Sequence, residues 1–245
     1  TGSYVLCFMF VFWFFASNKS ELKIKIHYLI LNNSIVREIS SLGSITLARQ
    51  ATVSVTYLLM NNILYNYGGE VSVTAYAIVG RMMMFALFPV YGITQGFLPI
   101  ASYNYGAKNY IRVKEVIYTA IQYASFFATL VFLVLMIFPE SITRVFTSDV
   151  NVIKETPPAM RWVFLATPII AIQLIGAAYF QAIGKAKIGL VLALLRQGIL
   201  FVPLILILPL FFGEIGIWIS FPISDLLATI ITWIVLLRET KKRLL

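Results

Sequence analysis

Charge is what this sequence is short of. Only 12% of its 245 residues are Asp, Glu, Lys or Arg, against about 25% in a soluble domain. That leaves too little polar surface to coat a globule, which excludes a cytosolic enzyme and a disordered tail. A single cysteine, Cys7, excludes an internal disulfide scaffold. Histidine is equally scarce: His27 stands alone, and no H-x-E, HExxH, CxxC or GxSxG spacing occurs. No constellation for a hydrolase, a metalloenzyme or a redox enzyme is present, and the glycines form no phosphate cradle for a nucleotide-driven pump. The sequence therefore predicts no catalytic residues, no metal ligands and no cofactor.

What fills the space is apolar. Hydrophobic residues make up 60% of the chain and the mean hydropathy is +0.89. They come in long runs, and a run of about 20 crosses roughly 30 Å of hydrocarbon. Six full runs are expected as membrane helices: about Leu42–Asn66, Val71–Ala101, Val116–Phe138, Met160–Ile183, Ile188–Phe212 and Ile215–Leu237. The opening run, Gly2–Ala16, reaches only about 22 Å at 1.5 Å per residue and reads as the end of a truncated helix. The expected fold is all-α, a polytopic helical membrane protein. Its parts are a stub over residues 1–16, an amphipathic cytoplasmic linker over 17–41, a six-helix lobe over 42–237 and a basic tail over 238–245.

The net charge of +9 would suggest nucleic acid in a soluble protein. Placed along the chain, it is a topology signal instead. Thirteen of the nineteen basic residues fall in the linker, in the connections around Lys108–Lys114 and Lys185–Lys187, and in the tail. These segments all lie on one side of the expected spans, and positive loops stay in the cytoplasm. The reading is a multi-pass protein of the cell membrane with its C-terminus in the cytoplasm. Its bland partner is the lipid bilayer, and nucleic acid is not needed.

Polar residues at membrane depth mark where function is sought. Arg81, Arg196 and Asp225 lie deep within expected spans, and Arg49 is shallow enough to snorkel. A charge at the bilayer centre costs about 2.5–3.5 kcal/mol on insertion scales, so the deep three must face a partner or a watery cavity. Asp225 is the only membrane acid, and Arg81 or Arg196 is its expected partner. Gln50, Asn61, Asn62 and Gln95 are further candidates for a substrate or coupling pathway, although each alone suits interhelical glue equally well. Pro89, Gly92 and Gly96 interrupt the second span, Pro168 the fourth, Pro203 and Pro209 the fifth. The Gly92-x-x-x-Gly96 spacing suits close helix packing, and interrupted helices are also what a carrier uses to change access.

The segment Gly92-Ile-Thr-Gln95-Gly96-Phe-Leu-Pro99 followed by Tyr103-Asn104-Tyr105-Gly106-Ala107-Lys108 resembles a signature of the multidrug and toxic compound extrusion (MATE) transporters. Leu47-Ala-Arg49-Gln50 with Asn61-Asn62, and Phe221-Pro222-Ile-Ser-Asp225, resemble the family more weakly, in its bacterial multidrug export branch. In this resemblance Pro89, Gly92, Gly96, Pro99, Asn104, Gly106 and Lys108 are structural motif positions. It implies a twelve-helix protein of two six-helix lobes, exchanging cationic, amphipathic drugs for protons or sodium ions. The chain would then be the C-terminal lobe, with the N-terminal lobe of the same protein as its missing partner. A lipid-linked saccharide flippase of the same superfamily, using a cationic cleft, stays open, as does a membrane subunit that transports nothing. Gly106 is expected to take a backbone conformation closed to other residues.

Overall fold

The computed structural model describes residues 2–17 and 33–243. Most of the expected linker, with His27, lies outside these residues. Among the described residues the chain is helical with no strand. Its helices are α1 (Gly2–Ala16), α2 (Asn33–Gly106), α3 (Tyr110–Ile137), α4 (Pro139–Phe146), α5 (Val150–Phe164), α6 (Ile170–Ala182), α7 (Ala186–Leu194), α8 (Phe201–Phe212) and α9 (Glu214–Arg243). Two compact units result, Thr1–Leu47 and Ala48–Leu245. In the first, α1 is an apolar helix with exposed Phe8, Phe12 and Trp13. Arg81, Arg196 and Asp225 all fall in the second.

Among the described residues, five helical stretches are long and apolar enough to cross a membrane: Gln50–Gly106, Tyr110–Ile137, Val150–Ala182, Ala186–Phe212 and Glu214–Lys241. The first has 57 residues, about 85 Å if straight, far more than one bilayer. Gly69 resolves the excess: at φ 66° and ψ −154° it breaks the helix, a conformation only glycine adopts without strain. The arms 50–68 and 70–106 fold back on each other there, with the Tyr57 and Tyr76 rings 5.4 Å apart. Element ends differ from the sequence reading. Helix α2 is already formed at Asn33, inside the expected linker, and α9 runs to Arg243, through most of the expected separate tail. Apolar spans carry no intrinsic stop, so a helix continues until a breaker ends it.

Proline and glycine act where their chemistry bites, but not always where expected. Pro89 and Pro99 are absorbed inside α2 without a break. Pro168 sits in a 3₁₀ turn, Thr167–Ile169, between α5 and α6. Pro203 follows a π-helical turn, Leu195–Ile199, that joins α7 to α8. The expectation for Gly106 fails: it closes α2, and the left-handed residue is Lys108 at φ 58°. Gly92 and Gly96 make no close approach to the described residues: a Cβ on either would meet nothing within 4 Å. The close approaches lie elsewhere, at Gly189 and Gly216, where a Cβ would fall 3.0 Å from the Ala177 carbonyl oxygen and 2.5 Å from that of Leu208.

Two large apolar clusters hold the lobe, with a small third one at Val90, Ala124, Ala128 and Ala171. One large cluster gathers Met60, Leu64, Val79, Met160, Ile205 and Trp218. The other gathers Phe97, Ile117, Ile175, Tyr179, Phe180 and Leu236, towards the opposite ends of the same helices. An ion pair, Lys185 Nζ to Glu239 Oε1 at 2.6 Å, ties the α6–α7 connection to the end of α9, so these two basic segments share one end of the bundle.

Candidate functional site

Between the two large clusters lies the polar layer of the lobe. Arg196, in the π-turn, donates from Nε to Oδ1 of Asp225 on α9 at 2.6 Å. Both are buried, with side chains 8% and 7% exposed. A buried charge is tolerated only when paired and hydrogen-bonded, and each residue supplies what the other needs. The π-turn is why they meet. Its Leu200 N–H donates to the Leu195 carbonyl at 3.0 Å, five residues back, and this widened turn faces Arg196 towards α9. Its carbonyls take hydroxyl donors from two other helices. Ser224 Oγ donates to the Arg196 carbonyl at 2.9 Å, and Thr56 Oγ1 to the Gln197 carbonyl at 2.9 Å.

Beside this pair opens a cavity of about 200 Å³ lined by Tyr57, Tyr76, Met83, Phe201, Phe221 and the ion pair itself. Its aromatic rings form a continuous series: Tyr57 to Tyr76 at 5.4 Å between centroids, Tyr76 to Phe221 at 6.4 Å, and Phe221 to Phe201 at 4.5 Å. Ring faces carry negative quadrupole charge and attract cations within about 6 Å. Apolar walls with a few polar groups are the usual lining of a small-molecule site. The Thr167 side of the 3₁₀ turn lines a smaller void against the same Arg196 and Asp225.

The structure assembles only part of the sequence-derived set. Arg196 and Asp225 come together; Arg81 does not join them. It is exposed, its guanidinium carbon 5.8 Å from the centre of the Phe146 ring. Gln50, Asn62 and Gln95 are exposed and Asn61 is half-buried, and none of the four lines the cavity. Asn62 accepts from Asn66 at 3.1 Å on its own helix. The Arg49 side chain lies outside the described residues. Among the motif positions, Asn104 closes on the Ile100 carbonyl at 2.8 Å, a helix-end contact. Sequence reading missed Thr56, Tyr57, Tyr76 and Phe201, and met Phe221 and Ser224 only inside the weaker family match, with no site role. Aromatic residues number 36 of 245, so nothing in one sequence singles out Tyr57, Tyr76 and Phe201. Among the described residues no group of three or more His, Cys, Asp or Glu is placed to hold a metal.

Comparison with known proteins agrees with this architecture. The MatE family model matches residues 46–207. The multidrug export protein MepA of Staphylococcus aureus (strain MW2) is 23% identical over 239 residues, covering 97% of this chain and 52% of the relative. The solved MATE multidrug transporter DinF-BH is 36% identical with a TM-score of 0.79, over 94% of this chain and 51% of that one. An outward-facing multidrug resistance MATE family transporter shares the fold at a TM-score of 0.85 and 19% identity, over 97% and 54% of the two chains. The chain thus spans about half the length of the curated relatives it matches. With its helical lobe, its signature segment and this match, the chain belongs to the MatE family of membrane transporters.

Proposed function

We propose that the chain is the C-terminal lobe of a secondary-active exporter of cationic, amphipathic compounds, driven by antiport of protons or sodium ions across the cell membrane. The observation that carries this reading is the aromatic cavity beside the Arg196–Asp225 pair. Tyr57, Tyr76, Phe201 and Phe221 give a flat, hydrophobic cation stacking surfaces and cation–π attraction without a free charge. A carrier's site lies at the interface of two repeats, and this lobe supplies one wall of it. The basic connections and the basic end of α9 support placing them in the cytoplasm.

The flippase reading is not favoured. It needs free arginines in one cleft; of Arg49, Arg81 and Arg196, the last is neutralised by Asp225, Arg81 lies exposed over Phe146 and the Arg49 side chain lies outside the described residues. Efflux of ethidium from a drug-sensitised bacterial host tests the proposal. The lobe joined to a first lobe from a relative should export ethidium, and Tyr76→Ala with Phe221→Ala should slow export at least tenfold. The 245-residue chain expressed alone should confer none. Resistance from the chain alone, or normal export by the double variant, would refute the reading.

A further inference from the structure

Most hydrogen-bonded hydroxyls in this lobe bond within their own helix; Ser72, Ser102, Thr56 and Ser224 reach another one, and only the last two meet on the π-turn. Thr74, Thr94, Thr129, Thr143, Thr156 and Ser220 each donate to the carbonyl four residues back on their own helix, the ordinary resting place of a hydroxyl in an apolar helix. Thr56 and Ser224 reach across to other helices instead, and both end on successive carbonyls of the π-turn, those of Gln197 and Arg196. Both residues are buried. A π-turn interrupts the regular i to i−4 ladder at these carbonyls, and hydroxyls from outside complete it. In hydrocarbon an unmatched carbonyl finds no water.

The arm 50–68 also touches the turn one helical turn before Thr56. A Cβ on Gly198 would stand 2.6 Å from Thr52 Cγ2, so glycine is what lets the two helices close here. The arm is therefore fixed to the π-turn at two points, and α9 is fixed to it by Ser224 and by Asp225. A π-turn holds one residue more than the α-turn it replaces. Its loss would rotate everything on one side of it by about 100° relative to the other. Arg196 sits within it and would leave Asp225.

We propose that Thr56 and Ser224 are positioning residues, whose hydroxyls hold the Leu195–Ile199 turn in its π form and so couple the place of the 50–68 arm to the Arg196–Asp225 pair. Pulling the arm away removes the Thr56 donor, frees the Gln197 carbonyl and releases the turn to the α register. This rests on the reading of the lobe as half of a carrier, in which some helices must shift against others.

Hydrogen exchange of the purified 245-residue chain in lipid nanodiscs tests it without transport. Thr56→Val keeps the side-chain shape and removes the hydroxyl; exchange of the amides from Leu195 to Leu200 should rise by about tenfold or more. Exchange around Asp225 should rise with it, although Thr56 donates to the turn and not to Asp225. Thr56→Ser, which loses packing but keeps the donor, should restore slow exchange at both places. Ser224→Ala should match Thr56→Val and serves as the reading if that variant does not fold. Unchanged exchange at the turn, a change confined to the 50–68 arm, or failure of Thr56→Ser to restore would each overturn the proposal. Loss of export in the ethidium assay leaves this result standing, and unchanged exchange leaves export standing, so the two readings fail separately.

Discussion

Replacing Asp225 by Asn strands a guanidinium that is 8% exposed in the middle of the lobe. The shape is kept and Asn still offers an acceptor to Nε, but the countercharge is gone. Breaking a buried ion pair from one side typically costs about 3–5 kcal/mol. The retained hydrogen bond puts the expectation at about 3 kcal/mol, which lowers the folded-to-unfolded ratio by about two decades. Ser224 adds to the penalty, because its hydroxyl is bound to the Arg196 carbonyl and moves with any repacking of the turn. Reversible unfolding of the chain in mixed micelles, by SDS titration, reads the loss. The partner variant decides its cause: Arg196→Met with Asp225→Leu removes both charges and should return within about 1 kcal/mol of the parent. A loss below about 1 kcal/mol for Asp225→Asn, or a double variant no better than the single one, would refute the argument that pairing is what keeps these charges buried.

Gly216→Ala drives a Cβ to 2.5 Å from the Leu208 carbonyl oxygen, backbone that cannot step aside, and should cost about 1–3 kcal/mol in the same titration; Gly96→Ala, facing open space, should stay within about 0.5 kcal/mol. Lys108→Gly relieves a left-handed residue at φ 58° and should gain about 1 kcal/mol, whereas Gly106→Ala should leave stability within about 0.5 kcal/mol of the parent. A Gly106 variant that unfolds the α2–α3 turn while Lys108→Gly does nothing would reverse that assignment.

How much of this was legible in the sequence depended on how many residues share the physical cause. Hydropathy averages over some twenty residues per span, so the crossings and the fold class were plain. The expected partner of Asp225 narrowed to two arginines because charges at membrane depth are few and must pair. The choice between them rests on the π-turn, a one-residue irregularity that no periodicity reveals. Arg81 reads as deep because it lies near the middle of the expected span Val71–Ala101; on the structure it is exposed against Phe146, on α4. Spacing says that Gly92 and Gly96 share a helix face, not what stands opposite, and no described residue comes within 4 Å of a Cβ on either. The glycine that breaks α2, Gly69, lies in the pair Gly68-Gly69, among the four residues between the first two expected spans.

Three of the helix irregularities of this lobe meet at the ion pair. The 3₁₀ turn at Pro168 presents Thr167 to the void shared by Arg196 and Asp225, the π-turn holds Arg196 itself, and Pro222 lies within one turn of Asp225 on α9. Each irregularity costs backbone hydrogen bonds that lipid cannot replace. Where these three meet, hydroxyls and a charge pair satisfy several at once. The same concentration sets where the bundle can change. The two large apolar clusters are close-packed and resist partial displacement, but a layer held by a few directed bonds can exchange them as a set. A carrier that must alternate between two packings is best served by such a layer, and in this chain it borders the aromatic cavity.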